Sequence, residues 1–122
     1  MFQMTALSEH FDSKEFACHC CGKQVTHPKL VNLLEQIRSE IGGKSIKILS
    51  GYRCFEHNQK VEGKPHSQHL LGNAADIQVD GMTPKEVQTF LNTHFDTRIG
   101  GMGQYATFTH VDVRDGFARW KG

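Results

Sequence analysis

The sequence predicts an α+β domain with a small, mainly antiparallel sheet flanked by helices. Three observations carry this expectation: an apolar stripe at helical spacing early in the chain, two period-two segments in its middle, and a glycine-rich then alternating stretch at its end. In chain order, Asp12 to Phe16 reads as a short helix capped by Asp12 or Ser13. Leu30, Leu33, Leu34, Ile37 and Ile41 then recur on one helical face. Pro28 suits the first turn, and Gly42-Gly43 stops the helix. Ile46 and Ile48 alternate with Lys47 in a strand over Lys44 to Ser50. From Cys54 to Gly72 the pattern is irregular and polar, with a helical turn near His57 to Val61. Ala75, Ile77 and Val79 alternate with Asp76, Gln78 and Asp80, a second strand with one wet or functional face. Thr83-Pro84-Lys85-Glu86 is a capping box with proline at the first helical position, and the helix it opens buries Val87, Phe90, Leu91 and Phe95. Gly100-Gly101-Met102-Gly103 suits a strand that another segment or a ligand approaches closely. Thr107 to Arg114 places Phe108, His110, Asp112 and Arg114 on one face, and Phe117 to Trp120 reads as a closing strand.

A chain of 122 residues suits one domain, spanning 1–122. The net charge of +1 provides no general attraction to nucleic acid, so no such partner is expected. No apolar run approaches the ~20 residues of a membrane-spanning helix, and no membrane association is expected. Met1 to His10 lacks a basic start followed by an apolar core, so it does not read as a secretory signal. The expectation is a monomer made in the cytoplasm. Eight histidines in a chain this short direct attention to metal ligands.

Ser67 to Asp76 is the most informative segment. It sets His69 in a loop and Asp76 at the start of a strand, with Gly72, Ala74 and Ala75 small enough for the backbone to fold tightly between them. Imidazole nitrogen and carboxylate oxygen both bind zinc at ~2.0–2.2 Å, and His110, two residues from Asp112, can supply a third donor. Three protein ligands with a position left for water is a catalytic arrangement, whereas structural zinc sites close with four. A lone histidine is more often a surface or hydrogen-bonded residue, and such an aspartate is more often solvated. Spacing alone leaves the metal reading open.

The pattern Ser-x-His-x-x-Gly-x-Ala-x-Asp at Ser67 to Asp76 resembles the signature of the zinc D-alanyl-D-alanine carboxypeptidases and their peptidoglycan endopeptidase relatives, which share the Hedgehog/DD-peptidase fold. Ser50-Gly51-Tyr52-Arg53, Glu56-His57-Asn58, Gly100 to Gly103 and Phe108 to Arg114 extend the likeness in the same order, over roughly Leu7 to Trp120. It looks closest to the short branch of that family carried by phages and bacteria. The resemblance implies a zinc ion on His69, Asp76 and His110, and a peptidoglycan peptide as substrate. It also implies an enzyme that acts on the cell wall after release, in phage lysis or as part of a virion. Arg53 matches a family arginine that helps bind the peptide. Its planar guanidinium suits a carboxylate, or a carbonyl oxygen that becomes negative during reaction; the alternative is an ordinary surface salt bridge. Ser67 and Gln68 are expected to orient ligand or substrate, although loop capping explains Ser67 equally well. His66 is expected to be exposed and not a ligand.

The chain departs from better-known relatives in one respect. They carry an acidic residue several positions before the last ligand, and Gln104 to Thr109 contains no carboxylate. Asp112 is the best remaining candidate for general base, and holding a ligand or Arg53 in place is an equal alternative. The same departure sustains a rival function, a zinc-binding but non-catalytic interaction module of this fold.

Cys18-His19-Cys20-Cys21 contains a Cys-x-x-Cys and Cys54-Phe55-Glu56-His57 a Cys-x-x-His, which together can make a four-ligand structural zinc site. Buried free thiols or a disulfide compete with that reading, and the balance falls against a metal here.

Overall fold

The computed structural model describes residues 6–122. The first five residues, part of the stretch judged not to be a secretory signal, lie outside the described residues. A short 3-10 helix, Ser13–Phe16, begins where Asp12 accepts a hydrogen bond from the Glu15 N–H, so Asp12 is the cap. Helix α1 spans Pro28–Glu40, with Pro28 in its first turn and Gly42 and Gly43 at φ +88° and +77° beyond its end. Its buried face is Leu30, Val31, Leu33, Leu34 and Ile37. Strand β1, Ile46–Ser50, follows, and the expected helical turn becomes helix α2, Phe55–Lys60. A second 3-10 helix, Gln68–Leu71, leads into strand β2, Ala74–Val79. Helix α3, Pro84–His94, carries the full reciprocal capping box between Thr83 and Glu86. Strands β3, Gly101–Gln104, β4, Thr109–Asp112, and β5, Ala118–Lys121, complete the chain.

The five strands form one sheet in the order β1-β2-β4-β3-β5, antiparallel except for the parallel pair β3 and β5. The predicted α+β class with a mainly antiparallel sheet is what the chain adopts. Because successive side chains alternate across a strand, the register divides the sheet into two chemically different faces. Ile46, Ile77, Val79, Met102 and Val111 join one apolar cluster with Leu30, Leu34 and Ile37 of α1 and with Val87 and Leu91 of α3. Phe95 is buried as expected, whereas Phe90 is only partly covered.

The other face is aligned by cross-strand pairing. Ser50 sits opposite Asp76, Asp76 opposite His110, His110 opposite Gly103, and Gly103 opposite Trp120, one row across all five strands. On the β2 face expected to be wet or functional, Asp76 is buried, 5% exposed, at the wall of a cleft. Gly103 is glycine for a steric reason: a Cβ there would lie 2.3 Å from Trp120 Nε1. The indole crosses above this gap, its ring centroid 5.0 Å from that of His110, and donates from Nε1 to the Tyr105 hydroxyl at 2.9 Å.

Two substitutions test this construction. Leu34 is fully buried, so Leu34→Ala should cost about 2–5 kcal/mol, read as a lower urea midpoint at unchanged slope. Gly103→Ala should displace the indole and cost about 1–3 kcal/mol. Since Trp120 is the chain's one tryptophan, a shift in its fluorescence emission reports the displacement directly.

Candidate metal centre

Local geometry brings His69 and Asp76 together. Ser67 caps the second 3-10 helix by accepting from the His69 N–H at 3.2 Å. Gly72 ends that helix at φ +73°, where a Cβ would lie 2.3 Å from the Val25 carbonyl oxygen. Only glycine meets both demands. The chain then turns into β2, and His69 Nε2 comes 3.1 Å from Asp76 Oδ1. His110, opposite Asp76 in β4, places its Nδ1 3.1 Å from the same oxygen. All three side chains are buried, and their donor atoms lie within 4.8 Å of one another.

The far nitrogens of both rings are engaged. His69 Nδ1 lies 2.6 Å from the Gly51 carbonyl oxygen, which can only accept, so the N–H is on that side. His110 Nε2 lies 2.8 Å from Asp112 Oδ2, and the carboxylate takes its N–H in the same way. A neutral imidazole carries one N–H, so each ring turns its lone pair toward the Asp76 carboxylate. Three lone-pair donors facing one point repel unless protons or a cation stand between them. Tetrahedral zinc with bonds of 2.0–2.1 Å sets neighbouring donors about 3.3 Å apart, close to the two 3.1 Å separations here. The donor set fits the metal.

The electrostatics agree. Without a cation at the centre, protons take its place: burial alone would raise the Asp76 carboxyl, but N–H groups on the facing nitrogens of protonated His110 and His69 outweigh it and hold the group well below the usual carboxylate range. Burial would lower His110, yet the Asp112 and Asp76 carboxylates beside it push its proton affinity up. The pocket favours positive charge between these groups.

Asp112 lies on the far side of His110 from Asp76 and is fully buried. Its Oδ1 accepts from the Gly101 N–H at 2.8 Å and from Arg114 Nε at 2.9 Å, and its Oδ2 accepts from Arg114 Nη2 at 2.7 Å. Gly101 permits this contact, since a Cβ there would lie 2.3 Å from Asp112 Oδ2. Burial would raise the Asp112 carboxyl; the hydrogen bonds from His110 and Arg114 hold it well below its ordinary value.

Arg53 reaches Asp76 from the other flank, with Nη2 3.3 Å from Oδ2. Ser50 Oγ and Asn58 Oδ1 accept from its Nε and Nη1, each at 3.3 Å, and its backbone N–H donates to the His69 carbonyl at 3.1 Å. Gln68 Oε1 accepts from Asn73 Nδ2 at 3.1 Å. Arg53, Ser67 and Gln68 line a cleft of about 370 Å³ together with His69, Asp76 and His110. His66, expected to be exposed, is exposed at the rim of this cleft.

The same cleft contains Glu62, Tyr105 and Trp120, to which the sequence gives no individual role, although Val61 to His66 and Gln104 to Thr107 are loops expected to set which bond is cut. Trp120 could have been found from its alternation in the closing strand. Glu62 itself carries no signal beyond its place in that loop, where it has a left-handed backbone at φ +55°, unique among the described non-glycine residues.

A second donor group lies apart from the first. The thiols of Cys18, Cys21 and Cys54 are within 4.8 Å of one another, whereas the ring of His57 does not join them and stands edge-on to that of His19.

The profile of the family described as Peptidase M15 matches residues 7–112, a range that includes His69, Asp76 and His110. A protein of Streptomyces albus G named zinc D-Ala-D-Ala carboxypeptidase is 29% identical over 87 residues, 71% of this chain and 34% of that protein. The match thus spans about a third of that curated relative's length. With the match extending over most of the chain and through all three converging donors, the protein belongs to the peptidase M15 family.

Proposed function

We propose that the protein is a zinc peptidase that hydrolyses peptide bonds in bacterial peptidoglycan, in stem peptides or cross-links, with His69, Asp76 and His110 as the metal ligands. One observation carries this reading: two anchored imidazoles direct lone pairs at one buried carboxylate oxygen, on the wall of an open cleft. The name of the Streptomyces albus G relative supports a wall peptide as the substrate class. Such a substrate lies outside the cytoplasmic membrane, so the enzyme works after release, as a phage lysis or virion-associated protein would.

Bound zinc supplies Lewis acidity, polarising the scissile carbonyl and making water acidic enough to attack near neutral pH. The chain's own residues do the rest. Arg53 is held by Ser50 and Asn58 with its guanidinium at the cleft wall, where it can donate to a peptide carboxylate or to the carbonyl oxygen as negative charge develops. Ser67 holds the His69 backbone, and Gln68, its Oε1 occupied by Asn73, keeps its amide N–H groups for the substrate. By sequence, Asp112 is equally a candidate general base and a candidate positioning group. Full burial and oxygens occupied by Gly101, Arg114 and His110 favour positioning: Asp112 fixes the tautomer and tilt of His110. Proton transfer then falls to Glu62, the one carboxylate lining the cleft besides Asp76 among the described residues.

The decisive experiment incubates purified protein with purified sacculi and identifies the released fragments by mass spectrometry. Cleavage should require zinc, stop with chelator and disappear in His69→Ala. Stoichiometric zinc binding without release of any peptide or D-alanine would replace this reading with the non-catalytic binding module. Two variants separate the carboxylates. Asp112→Asn should weaken zinc binding by about 10–100-fold in a chelator competition. Glu62→Gln should retain zinc and lower kcat by about 10²–10⁴-fold. The opposite pattern would return the base role to Asp112.

A further inference from the structure

We propose that Cys18, Cys21 and Cys54, with Cys20 at the fourth corner, form a second metal site: a closed zinc–thiolate clip that holds the Arg53 segment in place. The three sulfurs lie within 4.8 Å of one another, although Cys54 is separated from the other two by the whole of α1 and β1. Tetrahedral zinc with Zn–S bonds of about 2.3 Å sets neighbouring sulfurs about 3.8 Å apart, so closure on an ion requires shifts of an ångström or less. A disulfide needs sulfurs at about 2.05 Å, uses only two of the thiols and strands the third. All four cysteines are free in the structure, and Cys20 is exposed in the same turn as Cys21, from which it can supply the fourth thiolate.

The backbone around the sulfurs is arranged for anions. The Cys54 N–H donates to Cys18 Sγ and the His57 N–H to Cys54 Sγ, each at 3.4 Å. The Cys18–Cys21 turn is closed on both sides, by Gly22 N–H to the Cys18 carbonyl and by Cys18 N–H to the Lys23 carbonyl, both at 2.8 Å, with Gly22 at φ +75°. N–H groups converging on sulfur lower the energy of a thiolate, the form that binds metal. Soft thiolate donors in a four-cornered set select zinc and leave no position for water, so this site is structural.

The clip acts on the first site through one peptide bond. Cys54 follows Arg53 and caps α2, while Tyr52 N–H donates to the Phe16 carbonyl at 2.9 Å, two residues before Cys18. The clip therefore ties the turn after the first 3-10 helix to the start of α2, and Arg53 is held between it and the His69 carbonyl.

The test loads the full chain with zinc under reducing conditions and counts metal by mass spectrometry. Wild type should carry two ions per chain, and cobalt substitution should give the intense near-ultraviolet thiolate-to-cobalt band. Cys21→Ser should lose one ion and that band while keeping the other ion. Cys21 is exposed, so this variant is free of the folding defect that buried Cys18→Ser risks. Cys20→Ser should also lose the clip ion on dialysis against chelator. His69→Ala should keep the thiolate band and lose the other ion, which separates this site from the proposed catalytic one. A wild type with one ion and no thiolate band overturns the proposal. So does a Cys21→Ser variant that keeps both ions, or a disulfide among these cysteines in the reduced, zinc-loaded protein.

Discussion

Two imidazole lone pairs and one carboxylate meeting at a buried point on the cleft wall is the constraint around which the polar half of this protein is arranged. Buried negative charge with no counter-charge is costly, and this cluster needs positive charge at its centre. The surrounding contacts keep that demand in place. The Gly51 carbonyl and the Asp112 carboxylate hold the far N–H groups, so neither ring can rotate to relieve the repulsion without giving up a buried hydrogen bond. Arg53 neutralises the second Asp76 oxygen from outside the donor triangle.

Much of the rest of the sheet supports this geometry. The apolar face and its two helices supply cohesion, and the pairing register sets Asp76 opposite His110 with no help from loops. Two glycines make room where side chains of the site pass close to the backbone, Gly101 beneath Asp112 and Gly103 beneath Trp120, while Gly72 admits the Val25 carbonyl. Such rigidity serves the proposed metal, since a ligand set displaced by a fraction of an ångström binds metal poorly. The cleft rim is built differently. The segment that contains Glu62 and Lys64 is exposed and lies outside the regular elements.

The proposed clip and the proposed catalytic centre divide two roles that zinc serves. One set is open, mixed nitrogen and oxygen, and set in a sheet; the other is all sulfur, closed, and set at the junction of loops. Arg53 lies between them, bonded to Cys54 through the chain and to the His69 carbonyl through its N–H. Metal loss from the clip would therefore reach the cleft as a loosened arginine with the sheet intact.

The sequence by itself determined the local elements. The stripe Leu30 to Ile41, the box Thr83 to Glu86 and the glycine stops are free-energy choices made within a turn or two of chain, and α1 and α3 form where those signals lie. It also marked His69 and Asp76 as neighbours, because only six residues, Gly72 among them, lie between them. His110 was legible through family resemblance, not through its own surroundings. Tertiary structure decided what depends on distant partners. The parallel pairing of β5 with β3, the burial that favours a positioning role for Asp112, the entry of Glu62 into the cleft and the meeting of Cys54 with Cys18 and Cys21 all arise from register and loop closure. Their energies involve residues tens of positions apart, and no local pattern encodes them.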